Sequence, residues 1–190
     1  VIRASLASHL TEEEKMAAPP CPQRQSLTVI SGFITPESDL PPPHGLDASI
    51  TMTVVDPREN DEVIRIAESA DPFAVVVEWC ICGPIVPGLA GCWNVKLFID
   101  DIDGVGPTHG QLGPTRHVQV DSAPLVKVPP ESSKRCYKLR LEFPGHTVRD
   151  GVYNLVATIT LSTGSCANRG PLLGDTLGFA EIPVFVFFTD

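Results

Sequence analysis

The chain has 190 residues, 43% of them hydrophobic, and a formal net charge of −9. That apolar fraction is enough for a substantial core, and the length fits one sandwich-sized domain with extensions. A broadly acidic surface repels phosphate backbones and anionic lipid headgroups, which argues against nucleic-acid partners and membrane-surface binding; no apolar run approaches the roughly 20 residues of a membrane helix, which argues against insertion.

In chain order, residues 1–26 read as an N-terminal extension. Thr11-Glu12-Glu13-Glu14 has the form of a capping box and predicts a short helix, ended by Pro19, Pro20 and Pro22. The opening Val1-Ile2-Arg3-Ala4-Ser5-Leu6 lacks the apolar stretch of a signal peptide, and a chain that begins with Val rather than Met leaves open both the removal of an upstream segment and a true start at Met16. Residues 27–47 form a second unit. Residues 27–35 are rich in β-branched side chains and predict an extra strand; Pro41-Pro42-Pro43 then makes the segment up to residue 47 an extended, stiff spacer.

The chain has nineteen prolines and fifteen glycines, and from residue 48 to 190 those that fall there punctuate a regular run of short strands. Residues 48–55 alternate, with Ile50, Met52 and Val54 on one face. A short edge piece follows at residues 63–67. In residues 73–82, Glu78 marks the outer face, so Phe73, Val75, Val77, Trp79 and Ile81 point inward and Cys80 and Cys82 outward. The same parity puts Trp93, Val95, Leu97 and Ile99 in the core, and Tyr137, Leu139, Leu141 and Phe143 as well, leaving Cys92 and Cys136 outward. Tyr153, Leu155, Ala157, Ile159 and Leu161 make a further core row. No stretch here has a sustained helical period.

The Gly151-Val152-Tyr153 run, at the start of the penultimate strand and behind strands carrying Trp79 and Trp93, resembles the tyrosine corner of immunoglobulin-like domains. Leu155 stands where antibody domains place a cysteine, which points to the wider class without the central inter-sheet disulfide. The resemblance covers about residues 48–190 and implies an all-β, immunoglobulin-like (Greek-key) antiparallel sandwich in which Tyr153 packs inward and its hydroxyl bonds nearby backbone. It implies no function.

Six cysteines, Cys21, Cys80, Cys82, Cys92, Cys136 and Cys166, permit a disulfide framework, with free thiols as the alternative. If residues 73–82 and 136–143 are neighbouring strands, Cys80 and Cys136 share an outer face and can pair; Cys82 and Cys92 flank the loop 83–91 and can close its base. Cys80-Ile81-Cys82 has the wrong spacing for a zinc knuckle. Asp100, Asp101 and Asp103 beside Gly104 are calcium candidates on composition, but they lack the spacing of an EF-hand loop and read better as a solvated turn. His9, His44, His109, His117 and His146 belong to no catalytic motif, so the sequence predicts no catalytic residue, no cofactor and no enzyme.

The last strand, residues 179–188, is apolar on both faces, and Pro183 favours an edge. Outward-facing Phe185 and Phe187 would invite a partner, with Leu27, Val29 and Phe33 of the extra strand as the complementary candidates; the alternative is that this strand covers the edge of its own chain. Two functions follow as expectations. One is a structural subunit that assembles with copies of itself, or with another protein, through the N-terminal strand and the C-terminal edge. The other is an extracellular or surface-displayed ligand-binding module using the loops 83–91, 101–116 and 162–177 at one end. A cytoplasmic location stays open with the cysteines' redox state.

Overall fold

A computed structural model describes residues 30–33, 47–104, 110–128, 132–172 and 178–189. Its strands are β1 (Ile30–Phe33), β2 (Asp47–Asp56), β3 (Glu62–Val63), β4 (Ile66–Glu68), β5 (Phe73–Gly83), β6 (Cys92–Asp101), β7 (Gly110–Gln111), β8 (Arg116–Gln119), β9 (Val126–Val128), β10 (Ser132–Phe143), β11 (Gly151–Gly164), β12 (Arg169–Leu172) and β13 (Gly178–Phe188). The helix predicted near Thr11 lies outside the described residues, as does the spacer up to residue 46.

The strands form two sheets. One runs β3-β2-β5-β10-β9; the other runs β1-β13-β11-β6-β7, with β8 also on β6, β12 on the end of β11 and β4 on β13. Strands β2, β5, β10 and β9 occupy the A, B, E and D places of an immunoglobulin sandwich, and β6, β8, β11 and β13 the C, C′, F and G places. The chain crosses between sheets from β5 to β6 and from β10 to β11, which is the Greek-key connection. The fold is therefore an immunoglobulin-like β-sandwich, fixed by strand order.

Alternation along each strand supplies the core. Trp79, Trp93, Tyr153, Phe73, Ile50, Met52, Leu155 and Ile159 are fully buried, all at inward positions. Trp79 stacks on Tyr137 at 4.9 Å between ring centroids, and Trp93 meets both edge-on at 6.3 and 5.9 Å. These arrangements suit the ring quadrupoles and fill one end of the sandwich. At the other end Phe73 packs against both Phe143 and Phe187, at 5.0 and 5.1 Å between ring centroids.

Here the structure corrects the sequence reading. Phe185 and Phe187 are 0% and 2% exposed and belong to the core, not to an outer interface. The cause is a β-bulge. Tyr153 pairs with Phe185 but Leu155 pairs with Ile182, so Asn154 alone faces both Pro183 and Val184. The extra residue inverts the parity: Ala180 and Ile182 point inward before it, Phe185 and Phe187 after it. Pro183, which has no N–H to give, sits where the ladder is interrupted.

β13 is also not an open edge. β1 pairs antiparallel with its first part, Ile30 opposite Glu181 and Phe33 opposite Gly178. β4 pairs parallel with its last part, Ile66 opposite Val186. Of the two expectations for the extra strand, the described pairing is the one within its own chain. Leu27 and Val29 lie outside the described residues; Phe33 is placed only by its backbone in β1.

Candidate recognition site

Three segments meet at the end of the sandwich where β5 finishes and β6 begins. The turn after β5 contains a short 3-10 stretch, Val86–Gly88, with Pro87 inside it and Val86 buried as its anchor. Gly91 closes that turn at φ +140°, where an added Cβ would strike the Ser162 carbonyl, so the β5–β6 connection lies directly against β11. Val120–Ser122 forms a second 3-10 stretch after β8. The segment after β11 returns as β12 and pairs beside Ser162 and Gly164.

Covalent and polar ties hold these segments together. Cys92, buried at the start of β6, is bonded to Cys166 just past β11, with Cα atoms 5.0 Å apart. The Gln119 amide spans the same seam: its Nε2 donates to the Gly91 carbonyl at 3.0 Å, and its Oε1 accepts from the Cys166 N–H at 2.8 Å. The Val120 N–H also donates to the Gly91 carbonyl at 3.0 Å. The Val120 carbonyl accepts from Arg135 Nη1 at 2.8 Å and from the Tyr137 hydroxyl at 2.7 Å. Burial raises the Tyr137 hydroxyl above its ordinary pKa, which keeps it a donor.

The Cys82–Cys92 pairing expected from the sequence is thus corrected. Flanking a loop does not bring two side chains together: Cys92 is the first residue of a strand in the opposite sheet from Cys82, and its outward face is turned to Cys166. Cys82 is disulfide-bonded elsewhere. Cys80 is bonded to Cys136, its directly opposed partner in the β5–β10 register, with Cα atoms 4.1 Å apart. The signal that could have found Cys92–Cys166 is that Cys92 opens β6 and Cys166 follows the end of β11, the strand that pairs antiparallel with it.

A polar chain runs beside the disulfide on the outer face. Asn94 Nδ2 donates to the Ser162 hydroxyl at 3.3 Å, that hydroxyl donates to the Cys92 carbonyl at 3.1 Å, and Asn94 Oδ1 lies 2.9 Å from His117 Nδ1. Partial burial and the charge of Arg169 lower the His117 pKa, so the imidazole stays neutral through a wider range. Ser162 is buried and its hydroxyl is engaged, so this chain has the geometry of a brace.

The same end exposes large apolar side chains: Ile85 (47%), Leu125, Val126 and Leu172 (53%). These are on the β5–β6 turn, the start of β9 and the residue before it, and β12. The start of the expected loop 101–116 is not part of this end. β6 runs the length of the sandwich, so residues 102–104 emerge at the opposite pole, while β7 pairs with Phe98 and Ile99 part-way along β6.

That opposite pole is knitted together internally. Arg58 bridges Asp56 at 2.9 Å and Asp71 at 2.5 Å. The Asp150 carboxylate accepts from the Ser69 and Thr189 hydroxyls, tying the β10–β11 turn to the end of β13. Asp101 Oδ1 accepts from the Asp103 and Gly104 N–H groups, each at 3.1 Å, and Asp103 Oδ2 from the Val152 N–H at 3.1 Å. Those carboxylates shape the turn; among the described residues no group of three or more His, Cys, Asp or Glu is placed to hold a metal ion.

Fold and site together define a disulfide-braced immunoglobulin-like module. No protein-family model and no curated protein matches the chain. Among solved structures it is similar to the CARDB domain of the PF1109 protein from Pyrococcus furiosus, determined in complex with di-metal ions; identity is 13%, the match covers 76% of this chain and 96% of that one, and the TM-score is 0.41. The overlap is loose, and the fold assignment stands on strand order.

Proposed function

We propose that this chain is a non-enzymatic recognition module of an oxidising compartment, at the cell surface or outside the cell, which binds a protein partner through the braced end. The observation that supports this most is the seam of Cys92–Cys166 and Gln119, which joins three loop-bearing segments at an end that exposes Ile85, Leu125, Val126 and Leu172. Pinning loops before binding removes part of the ordering entropy that a partner would otherwise have to offset. Exposed apolar side chains on a rigid sandwich end fit a protein surface better than a sugar. Disulfides persist where the compartment is oxidising.

The test pairs light scattering with an array of extracellular proteins and glycans, probed by the full chain and by an Ile85→Ser/Leu172→Ser variant. The reading expects a monodisperse monomer whose protein hits vanish in the variant while its fold is kept. Hits that ignore the two substitutions sink it.

Self-assembly is the second reading, favoured by the placement of β1 on the edge of β13. The same pairing made between chains gives strand exchange. Large species formed by the full chain and lost on removing residues 1–35 would establish it.

A further inference from the structure

Cys80–Cys136 differs from Cys92–Cys166 in where it sits. Cys92 is fully buried, whereas Cys136 is exposed and Cys80 half-buried, on the outer face of the β2-β5-β10 sheet. The bond joins two residues that the ladder already places opposite one another. Register is continuous over eleven pairs from Ser133–Gly83 to Phe143–Phe73, so the strands stay in place when the bond opens. Cys92–Cys166, by contrast, holds a strand to a segment past the end of its neighbour.

The charges around it are also distinct within an acidic chain. Lys134 and Lys138 flank Cys136 on the same face; opposite them stand Cys82 and Glu78, and on β2 the facing residues are Asp47, Ser49 and Thr51. Lys138 is ion-paired with Glu78 at 2.8 Å, and Lys134 stands on the other side of Cys136 with no ion pair among the described residues. A cation beside a sulfur attracts an incoming thiolate and stabilises the thiolate that leaves.

We infer that Cys80–Cys136 is a thiol–disulfide exchange site, open to small thiols and to dithiol reductases, in a molecule whose other described disulfide is structural. A thiolate attacks Cys136 Sγ, the bond to Cys80 breaks, and its electron pair leaves on Cys80 Sγ, giving a mixed disulfide at Cys136. The second thiolate of a dithiol then attacks the sulfur of the first. Cys136 leaves as a thiolate, the dithiol is oxidised to its own disulfide, and the protein has gained two electrons; both cysteine sulfurs take up protons from solvent according to pH.

The experiment treats the oxidised full chain with limiting dithiothreitol under native conditions, quenches with iodoacetamide and locates the label by peptide mass spectrometry, with circular dichroism in parallel. Label on Cys80 and Cys136 is expected roughly tenfold sooner than on Cys92 and Cys166, with the β signal unchanged. Simultaneous labelling of all four with loss of the β signal, or earlier labelling of Cys92 and Cys166, overturns the inference. A Cys80→Ser variant supplies an independent check: Cys136 should take up one glutathione from oxidised glutathione, and a folded variant that does not react is equally decisive against it.

Discussion

Cys92 and Cys166 are 74 residues apart in sequence and 5.0 Å apart at Cα, joined across the seam between β6 and the segment leaving β11. A bridge that closes so long a loop constrains the unfolded chain by about 4 kcal/mol in the chain-entropy account. Replacing both by alanine should lower unfolding free energy by up to that amount in urea titrations. Hydrogen exchange should rise first in residues 165–172, because the bond from the Cys166 N–H to Gln119 is then what ties Cys166 to the seam.

The bulge at Pro183 and Val184 makes a prediction that alternation alone would invert. Phe187→Ala should cost about 3–5 kcal/mol, the range for deleting a buried ring, because Phe187 packs on Phe73, Tyr153 and Phe185. Val184→Ser, at a position 51% exposed, should change stability by less than about 0.5 kcal/mol. Chemical denaturation of the two single variants checks the pair. Equal costs would mean that the register across β11 and β13 is wrong.

Tyr153 departs from the tyrosine corner that its sequence context resembles. Its ring is buried over Gly151, which sits at φ +154° and where a Cβ would come within 3.1 Å of the ring, but its hydroxyl finds no hydrogen-bond partner among the described residues. A buried hydroxyl without a partner costs free energy, on the order of 1–3 kcal/mol. Tyr153→Phe is therefore expected to be neutral or stabilising, read as an unchanged or higher thermal midpoint. A drop of about 1 kcal/mol or more would show that the corner hydrogen bond is made.

Acid should unfold the protein partly through its closed pole. Hydrogen bonds from Arg58 hold Asp56 below the usual carboxylate pKa, and the Ser69 and Thr189 hydroxyls do the same for Asp150. Both folded values lie beneath the unfolded value of about 3.9. The stability they contribute is therefore complete above that value and is lost as pH falls through the folded pKa. Thermal melts from pH 7 to pH 2 should show the midpoint falling below about pH 4, and Asp150→Asn should start lower at pH 7 and fall less steeply.

The parity of single strands was legible in the chain because a half-buried strand repeats every two residues and a charged residue marks its outer side. Glu78, Lys96 and Lys138 did this for β5, β6 and β10, and the core rows through Trp79, Trp93 and Tyr137 follow from them. Parity together with an assumed strand neighbourhood also placed Cys80 opposite Cys136. Parity failed in β13, where one inserted residue moves every later side chain to the other face and no composition signal announces it. Residues 102–104, the start of the expected loop 101–116, were misplaced for a related reason: which pole a loop leaves from depends on the direction of the strand before it, and direction is a property of the sheet.

By itself the sequence determined an all-β chain, its inward-facing rows, its turn positions and the outward aspect of Cys80, Cys82, Cys92 and Cys136, because each of these follows from interactions among residues near in sequence. Only the tertiary structure decided that Cys92 meets Cys166, that β1 and β4 share the edge of β13, and that Phe185 and Phe187 are core. Those outcomes depend on which strands become neighbours and in what register, and register is set by simultaneous burial of both sheets' inner faces, a condition that no single segment carries.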